Sequence, residues 1–244
     1  ASDVYKRQLV VRGDVTGNDT IDLRSATVET LSFADDGEDP VTIDVDDGAR
    51  LVLSAAQASG QIITGNGTIE VHGVTATTDL SEIAATLEAF IDDGTDLSAN
   101  ETLDTVDKLY LTGDGAEVTL SATQASGKQV LLADGVISGT VTISGDVARG
   151  TADLTGISGD VALDFDGDSI TVGDGATLQL TLAQAAALSA AGQTIDGDGT
   201  LLLDGGVADG ETLDLTVLVE GNVQIDFVEP PVIENGGRLI LALA

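Results

Sequence analysis

The sharpest acidic cluster in the chain is Asp164-Phe165-Asp166-Gly167-Asp168. On an extended backbone alternate side chains project to one side, so Asp164, Asp166 and Asp168 could share a hard, oxygen-seeking cation such as Ca2+. An EF-hand loop starting at Asp164 would need a bidentate Glu at its twelfth position, which is Gly175. The Gly- and Asp-rich nonapeptide of calcium-binding β-rolls is absent too. The cluster therefore reads either as a calcium site or as a solvated turn. Calcium is the one cofactor to consider, and none is required.

Other candidate chemistry is sparse. The chain has no Cys, which removes disulfides, thiolate metal sites and a thiol nucleophile. Its one histidine is His72, whose equivalents in other copies of a repeat are Arg12 and glycines. An exposed turn is expected there, with no partner for general acid–base work. Gln57, Gln124 and Gln184 take the same place in three copies, either as a row of ligand-binding amides or as corner side chains bonding backbone of the next coil. The Asp-Gly pairs at Asp47, Asp114 and Asp174 read as turns, because Asn235 replaces Asp in a fourth copy.

The elements that must position these residues belong to an internal repeat. Asp-Gly-Ala-Arg-Leu-Val-Leu-Ser-Ala-Ala-Gln-Ala-Ser-Gly from Asp47 returns, with changes, from Asp114 and Asp174, and as Asn-Gly-Gly-Arg-Leu-Ile-Leu from Asn235. A second anchor, Asp-Leu, stands at Asp22, Asp79, Asp153 and Asp214. A third closes each unit at Arg12–Val15, His72–Val74, Gly145–Val147 and Gly205–Val207. The copy that begins at Asp79 is longer than its neighbours. Its extra residues fall in Phe90–Thr105, which reads as a surface loop.

After each turn, apolar residues alternate: Leu51 and Leu53, Val118 and Leu120, Leu178 and Leu180, Leu239 and Leu241. Period two with one apolar side predicts a half-buried strand. The Ala-Gln-Ala segments predict a helical turn or a small-residue corner, and Ala183–Ala191 a short helix. A second glycine turn follows, Gly65-Asn66-Gly67-Thr68 or Gly197-Asp198-Gly199-Thr200. The exchange of Asn for Asp there suggests a residue tolerating a left-handed backbone.

Units of about 60 residues, each holding about three strand-bearing segments, predict an all-β chain folded as a right-handed parallel β-helix-like solenoid with short helical or Ala-rich corners. About 11 coils at ~4.8 Å would make a rod of roughly 50 Å. A string of immunoglobulin-like sandwiches needs ~100 residues per module, more than the unit supplies, and a string of smaller barrels stands as the alternative fold. Residues 1–8 do not match the repeat and read as a non-native or linker segment. The array then occupies 9–244: a partial unit 9–21, units 22–78, 79–152 and 153–213, and a truncated unit 214–244. Both ends read as cut within a unit, the expectation for a piece of a longer array.

Composition narrows the partners. The formal net charge is −33, with 42 acidic and 9 basic residues, a field that repels nucleic acid and anionic lipid. Aromatic residues are 2% of the chain, too few for an extended sugar-stacking groove. No apolar run is long enough to insert in a membrane as a helix.

The repeat consensus, Asp-Gly-Ala-x-Leu-x-Leu-(Ser/Thr)-Ala-x-Gln-Ala-Ser-Gly followed by Gly-x-Gly-Thr-(Leu/Ile) with an intervening Asp-Leu-(Ser/Thr)-x-Ile, resembles acidic, Cys-free tandem repeats of large bacterial surface or secreted adhesin-like proteins. The resemblance spans nearly all of residues 9–244. It implies an extracellular or cell-surface location and a non-enzymatic role as stiff spacer or weak adhesive surface. The implied partners are flanking repeats of the same parent chain, and surface glycans or other surface proteins. It carries over no catalytic residue. Two alternatives stand beside it: a carbohydrate-active or phage-fibre β-helix acting on polysaccharide, and a halophilic protein whose acidity is an adaptation to salt.

Overall fold

The computed structural model describes residues 8–11, 20–24, 30–33 and 42–241. It divides into two compact units: Ala1–Asp92 with Asn100–Tyr110, and Asp93–Ala99 with Leu111–Ala244. The chain is all-β with parallel sheets and few helices. The Arg12–Val15 anchor and residues 1–7 lie outside the described residues. Gln8, grouped with the leading segment on sequence, instead opens the strand Gln8–Val11.

In the first unit, Gln8–Val11 pairs in parallel with Thr30–Phe33. A larger sheet runs Lys108–Thr112, Ile83–Asp92, Ile62–His72, Arg50–Ser54, Thr20–Asp22, with Thr42–Val45 also on Ile62–His72. From Arg50 onward the register steps evenly, Arg50 facing Thr68 and Thr68 facing Thr86; between Thr64 and Thr68 of the strand Ile62–His72 the pairing with Ile83–Asp92 shifts at an irregularity. In-register parallel pairing stacks like positions, so Leu51, Ile69 and Leu87 form one buried column and Leu53, Val71 and Ala89 another. These are the ladders that the alternating pattern predicts.

In the second unit, Thr95–Asp96, Ala116–Ser121, Gly139–Ser144 and Val161–Phe165 form one parallel sheet. Thr151–Asp153, Thr177–Thr181, Thr200–Asp204 and Gln224–Phe227 form another. Two-stranded sheets join Ser169–Val172 to Thr194–Gly197 and Thr212–Asp214 to Arg238–Ile240. Leu120, Ile143 and Phe165 make one buried column, and Leu180 and Leu203 begin another. Truncating one such Leu to Ala costs about 2–5 kcal/mol in a packed core.

The Ala-Gln-Ala corners are single helical turns, Ala55–Ala58 and Ala122–Ala125, and the third extends to Leu182–Ala191. The last is longer because alanines continue past its Gln, and Gly192 closes it in a left-handed conformation at φ 80°. The turn glycines Gly48, Gly115, Gly175 and Gly236 all have positive φ, between 72° and 80°.

Two expectations need correcting. Gly65-Asn66-Gly67 is not a turn but an irregularity inside the strand Ile62–His72, and at the two Gly-x-Gly positions the residues with positive φ are Gly65 (117°) and Gly197 (118°), not Asn66 or Asp198. The second glycine matters for space. A Cβ on Gly67 would stand 2.8 Å from the Ala49 carbonyl oxygen, and one on Gly199 2.8 Å from that of Ala176. Each glycine thus lies against the Asp-Gly-Ala turn of the preceding segment. Phe90–Thr105, moreover, is not a surface loop throughout. It holds the end of one strand, the strand Thr95–Asp96, and the buried residues Leu97, Asn100 and Leu103. The Asn100 amide donates to the carbonyls of Thr75 (2.8 Å) and Thr78 (3.0 Å), which satisfies a buried polar group inside a stretch that looks uniformly hydrophilic.

Candidate functional site

The recurring polar residues assemble one clasp several times over. In each Asp-Leu anchor the Asp accepts from the backbone N–H two positions on: Asp22 from Arg24, Asp79 from Ser81, Asp153 from Thr155 and Asp214 from Thr216, at 3.0–3.1 Å. The Ser81, Thr155 and Thr216 hydroxyls add a second bond at 2.6–2.7 Å. The hydroxyl and backbone bonds of Ser81 hold the Asp79 carboxyl below its ordinary value, and the backbone and hydroxyl bonds of Thr216 do the same for Asp214. A fifth anchor, Asp96-Leu97-Ser98, follows the same geometry at 2.9 Å, and the bonds from Ser98 likewise lower the Asp96 pKa.

Each corner glutamine closes a clasp. Its Oε1 accepts from the backbone N–H of the residue capping the helical turn, Ser54, Ser121 or Thr181, at 2.8 Å in all three copies. Its Nε2 donates to an anchor carbonyl on the preceding segment: Gln57 to Leu23 (2.9 Å), Gln124 to Leu97 (2.7 Å), Gln184 to Leu154 (2.9 Å). One amide thus satisfies a helix N-terminus and ties successive segments together. These side chains are held by backbone and are not arrayed as a row of free amides.

Turn carboxylates do related work. Asp93 accepts from Glu117 N–H, Asp107 from Leu87 N–H, Asp114 from Ile137 N–H and Asp146 from Thr171 N–H, at 2.8–3.3 Å. Each of these bonds joins one segment to its neighbour in the stack. Many of the acids that set the net charge therefore have a structural task.

Of the three carboxylates proposed for calcium, Asp164 lies in the strand Val161–Phe165, while Asp166 and Asp168 flank Gly167 in the turn Asp166–Asp168. Asp168 takes a left-handed backbone at φ 65°. The buried amide of Gln193 clips this turn, accepting from Phe165 N–H at 3.0 Å and donating to Asp168 at 3.2 Å. Asp164 accepts from the same Phe165 N–H, at 3.0 Å. Among the described residues no group of three or more His, Cys, Asp or Glu side chains gathers in metal-holding geometry.

The feature that sequence reading missed lies in the first unit. Glu70 and Glu88 face each other across neighbouring strands, as do His72 and Phe90 one step along. Arg50 bonds both glutamates, and Lys108 reaches Glu88 at 3.0 Å. The His72 ring stacks on Phe90 at 4.1 Å between centroids, and Phe90 on Tyr110 at 4.8 Å. Far from an exposed turn, His72 ends the strand Ile62–His72 and is half-buried. Arg24 Nη1 lies against both ring nitrogens, 3.3 Å from Nδ1 and 3.2 Å from Nε2, and Glu70 Oε2 lies 3.3 Å from Nε2. A neutral ring suits both neighbours, since it carries one nitrogen that accepts from Arg24 and one N–H that donates to a carboxylate. Burial, then the Arg24 charge, lowers the His72 pKa, which matches that neutral form. Side-chain and backbone bonds from Arg24 hold Asp22 down at about 2. The signal was present in the spacing: His72, Phe90 and Tyr110 follow one another at close to the strand period of this unit.

Chemically the stripe is a closed set of partners. Its carboxylates are held by cations, and both faces of Phe90 are covered by neighbouring rings. A sugar approaching Phe90 would meet its ring edge instead of an open face. An open depression of ≈ 510 Å³ in the same unit is lined by Gly65, Asn66, Ile83, Ala84, Ala85, Thr86, Thr105 and Asp107. The carboxylate in that lining, Asp107, accepts from Leu87 N–H at 2.8 Å.

Comparison with protein-family models, with curated proteins and with solved structures yields no match.

Proposed function

We propose that the parallel strands are coils of a right-handed β-solenoid, and that the chain is a non-enzymatic structural segment of a large extracellular bacterial protein, a stiff acidic spacer with a weakly adhesive surface. One observation carries this reading. The corner glutamines that recur from copy to copy donate to an anchor carbonyl on the preceding segment, and the recurring anchor aspartates fix the turn that holds that carbonyl. A repeat whose shared polar groups shape its own turns and tie successive segments together is built for mechanical continuity. Flanking repeats, surface glycans and surface proteins are the partners of such a segment.

Small-angle scattering of the full chain tests the reading. A cross-section of constant radius and a length near the roughly 50 Å of about 11 coils supports it; a spherical profile removes it. Distributed carboxylates also give Ca2+ a way to stiffen the array, so a melting midpoint unmoved by added Ca2+ takes calcium out of the account. Release of reducing ends from a polysaccharide panel would instead favour the carbohydrate-active alternative.

A further inference from the structure

Three of the five asparagines stand in Asn-x-Thr, the pattern read in asparagine-linked glycosylation: Asn18-Asp19-Thr20, Asn66-Gly67-Thr68 and Asn100-Glu101-Thr102. Asn18 lies outside the described residues. The fold treats the other two in opposite ways. Asn100 is 2% exposed, and its Nδ2, the atom a sugar would join, donates to the carbonyls of Thr75 and Thr78. Its Oδ1 accepts from the N–H and the hydroxyl of Thr102. That hydroxyl in turn accepts from Leu80 N–H. Both groups that a transferase must read are engaged inside the stack.

Asn66 is turned outward by an irregularity of the backbone. Where Ile62–His72 pairs with Ile83–Asp92, Thr64 faces Ala84 and Thr68 faces Thr86, so residues 65–67 stand opposite Ala85 alone. Extra residues on one strand make a bulge, which re-aims a side chain out of the ladder. Gly65 permits the bend with φ 117°. Gly67 seats it, buried against Val45 and the Asp-Gly-Ala turn. Asn66 is exposed and Thr68 half-buried, whereas Gly67 and Ile69 face inward. The amide and the hydroxyl of the motif are thus presented together. Among the described residues no hydrogen bond engages the Asn66 side chain. Beside it opens the ≈ 510 Å³ depression, whose walls include Ala84, Ala85, Thr86 and Thr105. Small side chains and hydroxyls leave room there for a pyranose. The equivalent position in the second unit is Asp198, which has no amide and accepts from Asn222 Nδ2 at 2.9 Å. We infer that Asn66 of the folded chain is an acceptor for an N-linked sugar, and that Asn100 is closed to it. The Asn66 Nδ2 forms a bond to the anomeric carbon of a glycosyl diphosphate. The bond from that carbon to the diphosphate oxygen breaks with its electron pair, and one amide proton passes to a base of the transferase. The inference does not rest on the spacer reading.

The full chain carrying Asn18→Gln retains Asn66 and Asn100 as its Asn-x-Thr acceptors and tests this. In one arm the folded chain meets UDP-glucose and a soluble asparagine glycosyltransferase. In the other it meets a lipid-linked diphosphate oligosaccharide and a membrane transferase. A reactive acceptor peptide accompanies each arm. Mass mapping of fragments should find sugar on Asn66 and none on Asn100, and the arm that loads Asn66 tells a nucleoside-linked donor from a lipid-linked one. Asn66→Asp installs the residue of the second copy, so it should keep the parent melting curve and lose the sugar. Thr68→Val removes the hydroxyl at similar shape and should lose it too. An unmodified Asn66 beside a modified peptide in both arms overturns the inference. So does equal loading of Asn66 and Asn100, sugar that survives Asn66→Asp, or conversion of Asn66 to Asp or isoaspartate in place of glycosylation.

Discussion

The two units share their inward-facing hardware and differ in what their strands show to solvent. Both stack Leu, Val and Ile in register and close their corners with a glutamine bonded to a preceding Leu carbonyl. Outward, the first unit sets Glu70 beside Glu88 and His72 beside Phe90, with Arg50, Lys108, Arg24 and Tyr110 completing a salt-bridged, stacked stripe. The corresponding face of the second unit sets Thr119 beside Thr142 and Asp164, and Ser121 beside Ser144. Inward positions answer to packing volume, which admits few substitutions. Outward positions answer to cross-strand neighbours, worth about 0.2–1 kcal/mol a pair, so they can diverge while the stack survives. Among the described residues the salt-bridged, stacked stripe sits on the outward face of the first unit, over a framework common to both.

Substitution at the shared framework should be the most damaging and should not distinguish the units. Gly67→Ala and Gly199→Ala each drive a Cβ into the turn of the preceding segment, and each should cost about 3 kcal/mol, as overpacking does. Denaturant titration checks this; a tolerated change in one unit alone would break the equivalence. Gln57→Leu and Gln124→Leu come next, at about 2 kcal/mol each, because a capping N–H and an anchor carbonyl both lose their partner. Comparable shifts in urea midpoint are expected.

The stripe should then separate the units. Glu88→Ala strips Arg50 and Lys108 of a shared, buried carboxylate and should cost about 1 kcal/mol, diminishing in high salt. Thr142→Ala on the corresponding face should cost less than about 0.5 kcal/mol at any salt. An equal, salt-independent loss at both positions would mean that the charge ladder contributes nothing beyond its bulk.

The smallest effects concern pH. The folded His72 pKa lies below 6.5, so the unfolded chain takes up the proton first as pH falls. Stability is unaffected by His72 above 6.5 and is lost as pH drops from 6.5 through the lower folded value. Asp22, at about 2 against 3.8, stabilises fully above 3.8 and loses that contribution as pH falls through about 2. Both side chains reach solvent, so screening keeps the effects small. Arg24 lowers both values, and Arg24→Ala should raise both in NMR titrations. A shift in only one of them would show that Arg24 does not bridge the pair.

Much of the framework was legible before any coordinates. The turn glycines, alternating strands, single-turn corners and the helix at Leu182–Ala191 each rest on interactions between near neighbours, which local sequence displays. The fifth anchor at Asp96-Leu97-Ser98 was hidden by the polar residues around it, although its pattern matches the others. The stripe was harder to see because its members, from Arg50 to Tyr110, stand on different strands and each looks ordinary alone.

From its own residues the chain specifies the kind of segment it repeats, because alternation, capping and left-handed turns are local demands of backbone geometry. Which outward residues meet is another matter. Arg50 holds Glu70 and Glu88, and Phe90 lies between His72 and Tyr110, only because parallel strands pair in one register. That register depends on the length of every turn between the strands. The step is constant from Arg50 to Thr68 to Thr86 in the first unit, and longer from Ala116 to Gly139 and from Thr151 to Thr177 in the second. Only packing the whole stack, with every column filled and every clasp closed, selects one set of neighbours.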